Sequence, residues 1–373
     1  MPEPVTLAPM LLSSAMSANP NFSNAEQVLR AAVAAGAFPG AAFGVLHPGG
    51  RSIGAVGQFM YDPASPTVHP DTIYDIASVT KVVATTAMAM RLFERGTLTL
   101  NQPLHEIVPE FLHGEPPTSD KRAITLRMLL AHSSGLPPWE PLYLTCKTRE
   151  ELLAACHSMP LQTPPLQSSV YSDIGFILLG EALERLAGES LHHFVSREIL
   201  SNIGMPNTMY HPPAEMRSKF PPTEADTTFR KRIVQGEVQD ENCFILSGVA
   251  GHAGLFSNAP DLLNFAECIL GRERELFWPE TVQFFTTREA EPYGTSRALG
   301  WDTPAAEHSS SGHFFSKNSA GHLGFAGTSL WIDLDRAIAV VLLTNRCWPT
   351  RENQAIRAVR PHFHDAVMQA LIR

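Results

Sequence analysis

Strand-like stretches lie only near the two ends of this chain, and that placement limits what it can fold into. Near the start, residues 41–46 read as an apolar strand. His47-Pro48-Gly49-Gly50 reads as a turn, and 52–58 as the returning strand of a hairpin. Near the end, 328–333 and 337–344 flank Leu334-Asp335-Arg336 as a second antiparallel pair. Amphipathic helices are expected over about 24–36 and 352–372. Between these ends, 97–240 is mostly helical and broken by prolines, with helices over 126–131 and 174–187, the latter closed by Gly188. A further helix over 260–270 takes Ser257 or Asn258 as its cap and Pro260 in its first turn. Strands at both ends with helices between them predict an α+β architecture. One antiparallel sheet is built from both chain ends and flanked by terminal helices, with a mostly helical region inserted. The expected division is 22–74 plus 243–373 as the sheet domain, 75–242 as the helical region, and 1–21 as an N-terminal extension.

Ser78-Val79-Thr80-Lys81 stands at the head of a long apolar run, 82–90. A helix is expected there from about 77 to 95, with Gly96 just past its end. A serine three residues before a lysine shares its helix face, with Cβ atoms about 5–6 Å apart. The amine can then take the hydroxyl proton, which makes a serine nucleophile without a histidine. At a helix N-terminus the Ser78 N–H lacks an intrahelical partner and favours negative charge, as an oxyanion would need. A cap by Asp75 would claim that N–H, so the helix is expected to begin nearer Ala77. An exposed lysine, with a pKa of about 10.4, stays protonated. Apolar flanks at Ile76, Ala77, Val79, Val82 and Val83 predict burial, which lowers that value. Ser-x-x-Lys alone is a loose pattern, and a paired core lysine is the bland alternative.

Two further groups supply what a Ser–Lys pair lacks. Tyr171-Ser172-Asp173 sits just before the 174–187 helix. Beside Lys81, the Tyr171 phenol is expected to lose its proton more easily, serving as base and then as acid. A half-buried packing tyrosine is the alternative. His322-Leu323-Gly324 opens the final hairpin and runs into Phe325-Ala326-Gly327. Small residues there let a substrate approach the backbone, and the Phe325 N–H is a candidate second oxyanion donor. His252-Ala253-Gly254 repeats the His-x-Gly pattern but leads into a helix, and reads as a structural loop. The chain has no G-x-S-x-G, no H-E-x-x-H and no phosphate-binding glycine loop. His192-His193 is too little for a metal site. Neither metal nor cofactor is expected.

Among 373 residues, 44% are hydrophobic and 17% charged, with a net charge of −9 that argues against a nucleic-acid partner. No stretch approaches the ~20 apolar residues of a membrane span. Cys146, Cys156, Cys243, Cys268 and Cys347 are scattered without C-x-x-C spacing and read as reduced thiols. They favour a cytoplasmic setting, with a periplasmic or secreted one as the alternative. The apolar segment 7–12 has no Lys or Arg before it and makes a poor signal peptide.

Taken in order and spacing, Ile76-Ala77-Ser78-Val79-Thr80-Lys81, Tyr171-Ser172-Asp173 and His322-Leu323-Gly324 resemble the serine β-lactamase and penicillin-binding-protein superfamily. The resemblance is closest to the class C β-lactamase-related hydrolases. It runs from about residue 25 and includes 129–137, 174–180, 248–257 and 327–333. It implies the β-lactamase/transpeptidase-like fold with a cleft between sheet and helical region. It also implies that Ser78 attacks an acyl carbon while Lys81 and Tyr171 share the proton work. The N–H groups of Ser78 and Phe325 would hold the oxyanion, with His322, Asp173 and Gly324 completing the site, and water would release the acyl-enzyme. Two departures stand out. The tyrosine motif commonly ends in Asn, whereas Asp173 can only accept hydrogen bonds. The third motif commonly begins with Lys, whereas the charge of His322 would depend on pH. Both reduce the positive field expected for a carboxylate-bearing substrate and favour a carboxylesterase. The alternatives are a β-lactamase or a D-alanyl-D-alanine carboxypeptidase or peptidase, so the partner is a small ester, lactam or short peptide. More remote is a sensor that acylates without turnover.

Overall fold

A computed structural model describes residues 20–272 and 275–372, so the N-terminal extension expected over 1–21 lies outside the described residues except for Pro20 and Asn21. The apolar run near the start becomes β1 (Gly40–His47), buried along its whole length, and turns back as β2 (Gly50–Gly57). Near the end come β3 (Ser319–Leu323), β4 (Ser329–Asp333) and β5 (Ile338–Thr344). They form one antiparallel five-stranded sheet in the order β2-β1-β5-β4-β3. The two ends of the chain meet where Phe43 of β1 lies opposite Leu342 of β5. Both strands are buried on both faces, which is why each reads as continuous apolar sequence rather than as alternation.

Each face has its own cover. On one face, α1 (Ser23–Ala34) packs with the C-terminal helix, Ile356–Leu371, and the Phe43 and Phe363 rings meet at 5.7 Å. The opposite face carries the helix Ala259–Ile269, where a Cβ on Gly44 would come within 3.0 Å of Leu263. The core continues from there into the helical region, through α2 (Ala87–Glu94), α3 (Leu126–Leu130) and α4 (Asp173–Ala187). In chain order the two sheet-covering helices after these are α5 (Ala259–Ile269) and α6 (Ile356–Leu371). α4 is capped by the Ser172 hydroxyl and closed by Gly188 at φ 70°. α5 takes Asn258 as its cap, with Pro260 in the first turn. α6 begins later than expected because Asn353 accepts the Ala355 N–H and Arg346 holds the Asn353 carbonyl, which keeps 351–355 a loop.

The serine segment departs from the regular helix expected over 77–95. Ala77–Val79 is a 3₁₀ turn, Lys81–Thr86 is a widened π turn, and α geometry begins only at Ala87. Tertiary bonds impose this. Asp75 accepts the Ala77 N–H at 2.8 Å, and Ala77 takes a left-handed φ of 47°. The Leu255 N–H donates to the Thr80 hydroxyl at 3.1 Å, and the Thr85 hydroxyl donates to the Gly251 carbonyl at 2.7 Å. Widened turns of this kind often mark functional sites. Gly96, at φ 69°, follows the helix end. Tyr74–Asp75 pairs with Phe256–Ser257 and fixes the start of the segment against α5. No helix among the described residues is long and apolar enough to cross a membrane. All five cysteines are buried and unbridged.

Candidate active site

Lys81 is fully buried, yet its amine has three acceptors: Asp173 Oδ1 at 2.6 Å, the His252 carbonyl at 3.0 Å and Ser78 Oγ at 3.2 Å. Burial is the strongest influence on the amine and lowers its pKa, while the Asp173 carboxylate works against that shift. As an ammonium, Lys81 has one hydrogen for each acceptor. As a neutral amine it can keep the Asp173 and His252 bonds and turn its lone pair to Ser78. The amine also lies 4.7 Å from the centre of the Tyr171 ring.

The 252–254 loop, expected to be only structural, is part of this arrangement. The His252 carbonyl receives Lys81, and the His252 ring binds Asp240 at 2.8 Å. Burial alone would raise the Asp240 pKa, but His252 and the Cys243 N–H outweigh it and hold the carboxyl at about 2. A backbone carbonyl leaves no residue signature, so sequence alone does not reveal the acceptor.

Tyr171 is fixed from both sides by one residue. The His132 carbonyl accepts the Val170 N–H at 2.9 Å, and His132 Nδ1 accepts the Ser172 N–H at 3.0 Å. The two rings sit 4.7 Å apart. The Ser172 hydroxyl donates to the Pro137 carbonyl at 2.6 Å while capping α4, which ties the tyrosine loop to 132–138. The expected lowering of the phenol pKa by Lys81 does not occur. Burial, then the Asp173 charge, pushes it well above its ordinary value, with hydrogen bonding to Ser78 and the charge of Arg297 only partly opposing. Tyr171 therefore keeps its proton at neutral pH.

His322 lies in β3 and is 2% exposed. Its Nδ1 sits 2.8 Å from the Leu323 carbonyl, so Nδ1–H donates there and Nε2 is left as an unpartnered lone pair. Burial, then Lys81 and Arg297, hold its pKa well below 6.5. The expected pH-dependent charge is thus replaced by a neutral ring. A permanent cation stands nearby instead, in a residue no motif marks. Arg297 is paired with Asp302, its guanidinium 5.4 Å from the centre of the Tyr171 ring. Gly324 follows β3 where no side chain fits, since a Cβ would fall 1.9 Å from Thr328 Oγ1 and 2.5 Å from the Ile76 carbonyl. Phe325 is half-exposed at the loop tip, with the Arg346 guanidinium 4.2 Å from its ring centre.

Ser78, Tyr171, Asp173, His322, Gly324 and Phe325 all line one cleft of about 800 Å³ between β3 and the helical region, with Arg297 in the same wall. A cleft at this edge of an antiparallel sheet, with helical walls, places the protein among serine hydrolases of the same architecture. The model of the family described as Beta-lactamase matches residues 25–361, and the chain belongs to that family. It is 31% identical over 306 residues to an N-acetylmuramyl-L-alanine amidase of Bacillus subtilis (strain 168), covering 74% of this chain and 68% of the amidase. Among solved structures it resembles EstCE1, a hydrolase with promiscuous acyltransferase activity, with a TM-score of 0.74 at 22% identity over 93% of this chain and 98% of that one. It also resembles a class C beta lactamase from Rhodobacter sphaeroides, with a TM-score of 0.71 at 19% identity over 94% and 100%.

Proposed function

We propose that the protein cleaves an amide bond in a small, carboxylate-bearing peptide or peptidoglycan fragment through an acyl-enzyme on Ser78. The observation that carries this reading is the Ser78–Lys81 pair with the Tyr171 phenol, a proton donor, in the same cleft. An amine leaves a tetrahedral intermediate only if its nitrogen is protonated, whereas an activated ester needs no such donor. In this reading Lys81 takes the Ser78 proton as Oγ attacks the carbonyl carbon. The Ser78 and Phe325 N–H groups hold the resulting oxyanion. Tyr171 gives its proton to the leaving nitrogen and is refilled from the Lys81 ammonium, which leaves the amine neutral. Water then attacks the acyl carbon as Lys81 takes its proton; the acyl–Oγ bond breaks, Lys81 returns the proton to Ser78 Oγ, and the acid departs. Arg297, in the cleft wall, is the cation that would draw the substrate carboxylate, a task His322 cannot perform while neutral. Likeness to the amidase supports the same bond class.

A carboxylesterase remains the second reading, favoured by the neutral His322 and by the Asp173 carboxylate within the cleft. The test compares rates on N-acetylmuramyl-L-alanine, a D-alanyl-D-alanine peptide, nitrocefin, and p-nitrophenyl acetate and butyrate, with Ser78→Ala as blank. Cleavage of an amide substrate at the highest kcat/KM is expected. Fast ester turnover with no amide or peptide cleavage would give the esterase reading instead.

A further inference from the structure

Asp75 is 2% exposed and is not part of the cleft lining, yet each of its oxygens holds one half of the site. Oδ1 accepts the Ala77 N–H at 2.8 Å, next to the Ser78 nucleophile proposed above. Oδ2 accepts the Gln239 N–H at 2.8 Å. Gln239 precedes Asp240, which holds the His252 ring, and the His252 carbonyl receives Lys81. One carboxylate thus bridges the serine turn and the cradle of the lysine. The serine turn needs such a hold, because Ala77 sits at φ 47°, a conformation that costs a non-glycine residue free energy.

We propose that Asp75 is a positioning residue that sets Ser78 against Lys81, and that it does so only as a carboxylate. Both of its partners are N–H donors, so both oxygens must accept. A protonated acid turns one oxygen into a donor and gives up one arm. The groups facing it decide when that happens. Burial raises its pKa most, and the Asp240 charge adds to the rise. The Gln239 and Ala77 N–H bonds and the Arg230 charge oppose, and the balance lies at about 6. The thiols of Cys243 and Cys347, which also feel this charge, are pushed far up by burial and stay neutral. Acylation of Ser78 therefore falls reversibly as pH drops through about 6.

This proposal rests on Ser78 being the nucleophile, so the test reads Ser78 directly. Labelling by a fluorophosphonate probe, which needs no knowledge of the substrate, is followed from pH 5 to 8.5 in the wild-type protein, Ser78→Ala and Asp75→Asn. Wild-type labelling should show an acid limb near pH 6. In Asp75→Asn one oxygen becomes an amide donor facing an N–H. Labelling at high pH should then fall about tenfold or more, as small misplacements of reacting groups do, and the step near pH 6 should be lost, leaving only the limb set by the Lys81 amine. Ala77→Gly in that background should restore part of the loss, because glycine holds a left-handed φ without help. A role in folding alone would leave the pH profile of labelling per folded molecule unchanged in Asp75→Asn. Labelling of Ser78→Ala would overturn the nucleophile and leave Asp75 without a task. A silent Ser78→Ala beside an Asp75→Asn protein that labels at the wild-type rate with the same limb would overturn Asp75 alone. Should Asp75→Asn not fold, a wild-type rate flat from pH 5 to 8.5 overturns the proposal by itself.

Discussion

The chemistry of Lys81 is decided by a balance between burial and one neighbour. Burial pushes its pKa down and Asp173, 2.6 Å away, pushes it up. The same carboxylate raises the Tyr171 pKa. Asp173→Asn removes both influences while keeping an oxygen that can accept from Lys81. The pH at which the amine becomes neutral should then fall, and the rising limb of kcat/KM governed by Lys81 should move to lower pH by about one unit or more. A limb that stays in place or moves to higher pH would show that Asp173 does not set the amine. Ser78→Ala is expected to remove turnover, by about 1,000-fold or more, with no loss of melting temperature. The hydroxyl is half-buried and its removal opens no deep cavity, so a folded Ser78→Ala protein with wild-type rates would end the proposed mechanism.

At the scale of elements, the site is built where α4 meets the 248–254 loop. A Cβ on Gly251 would lie 2.0 Å from the Phe176 carbonyl, and one on Gly180 would lie 3.0 Å from Gly251. No side chain separates helix and loop, which is how the His252 carbonyl comes within 3.0 Å of the lysine amine. Gly251→Ala must push the loop outward. It should cost about 1–3 kcal/mol, as overpacked cores do. It should also lower kcat by stretching the Lys81–His252 bond. Chemical denaturation and kcat at 25 °C check the two halves, and an unchanged kcat would mean the carbonyl is dispensable. The same contact explains what was and was not legible in the sequence. β1 and β5 were readable because strands buried on both faces must be apolar throughout. α4 was readable because Ser172 and Gly188 mark its ends. Ser78, Lys81, Tyr171, Asp173 and His322 carry side-chain chemistry in recognisable spacings, and the structure brings all five together. The irregular turn at 77–86 was not readable, because its bonds come from Leu255 and Gly251, far along the chain. Arg297 belongs to no motif. The lowered Tyr171 pKa and the pH-dependent His322 charge expected from sequence do not hold, because proximity to a charge is visible in a motif and depth of burial is not.

Across the whole molecule, buried histidines set the response to acid. His364, on α6 and facing Ser329 of β4, has its pKa lowered to about 4, chiefly by burial. His132 and His322 are held well below 6.5, again first by burial. In the unfolded chain each would take a proton near its ordinary value of about 6.5, so below that pH the unfolded state binds more protons than the folded state. Stability therefore falls as pH drops, and His364 alone accounts for about 2 kcal/mol between neutrality and pH 5. Asp240, lowered to about 2, has the same sign but acts only in stronger acid, below its unfolded value of about 3.8. Asp75 has the opposite sign. Its folded pKa of about 6 lies above its unfolded one, so the folded state takes that proton first and regains stability between about pH 6 and 4. His47 and His192 are lowered as well, and these five histidines outweigh the raised carboxyls of Asp75, Glu241 and Asp261, so the melting temperature should fall by several degrees from pH 7.5 to 5. A melting temperature that is level or rises over that range would mean the histidines are charged in the fold. The two acid responses separate cleanly in temperature. Loss of acylation through Asp75 should be about tenfold or more and reversible at 25 °C, where the folded state still dominates, whereas loss through the histidines appears only near the melting transition. Asp75→Asn should remove the first and leave the second.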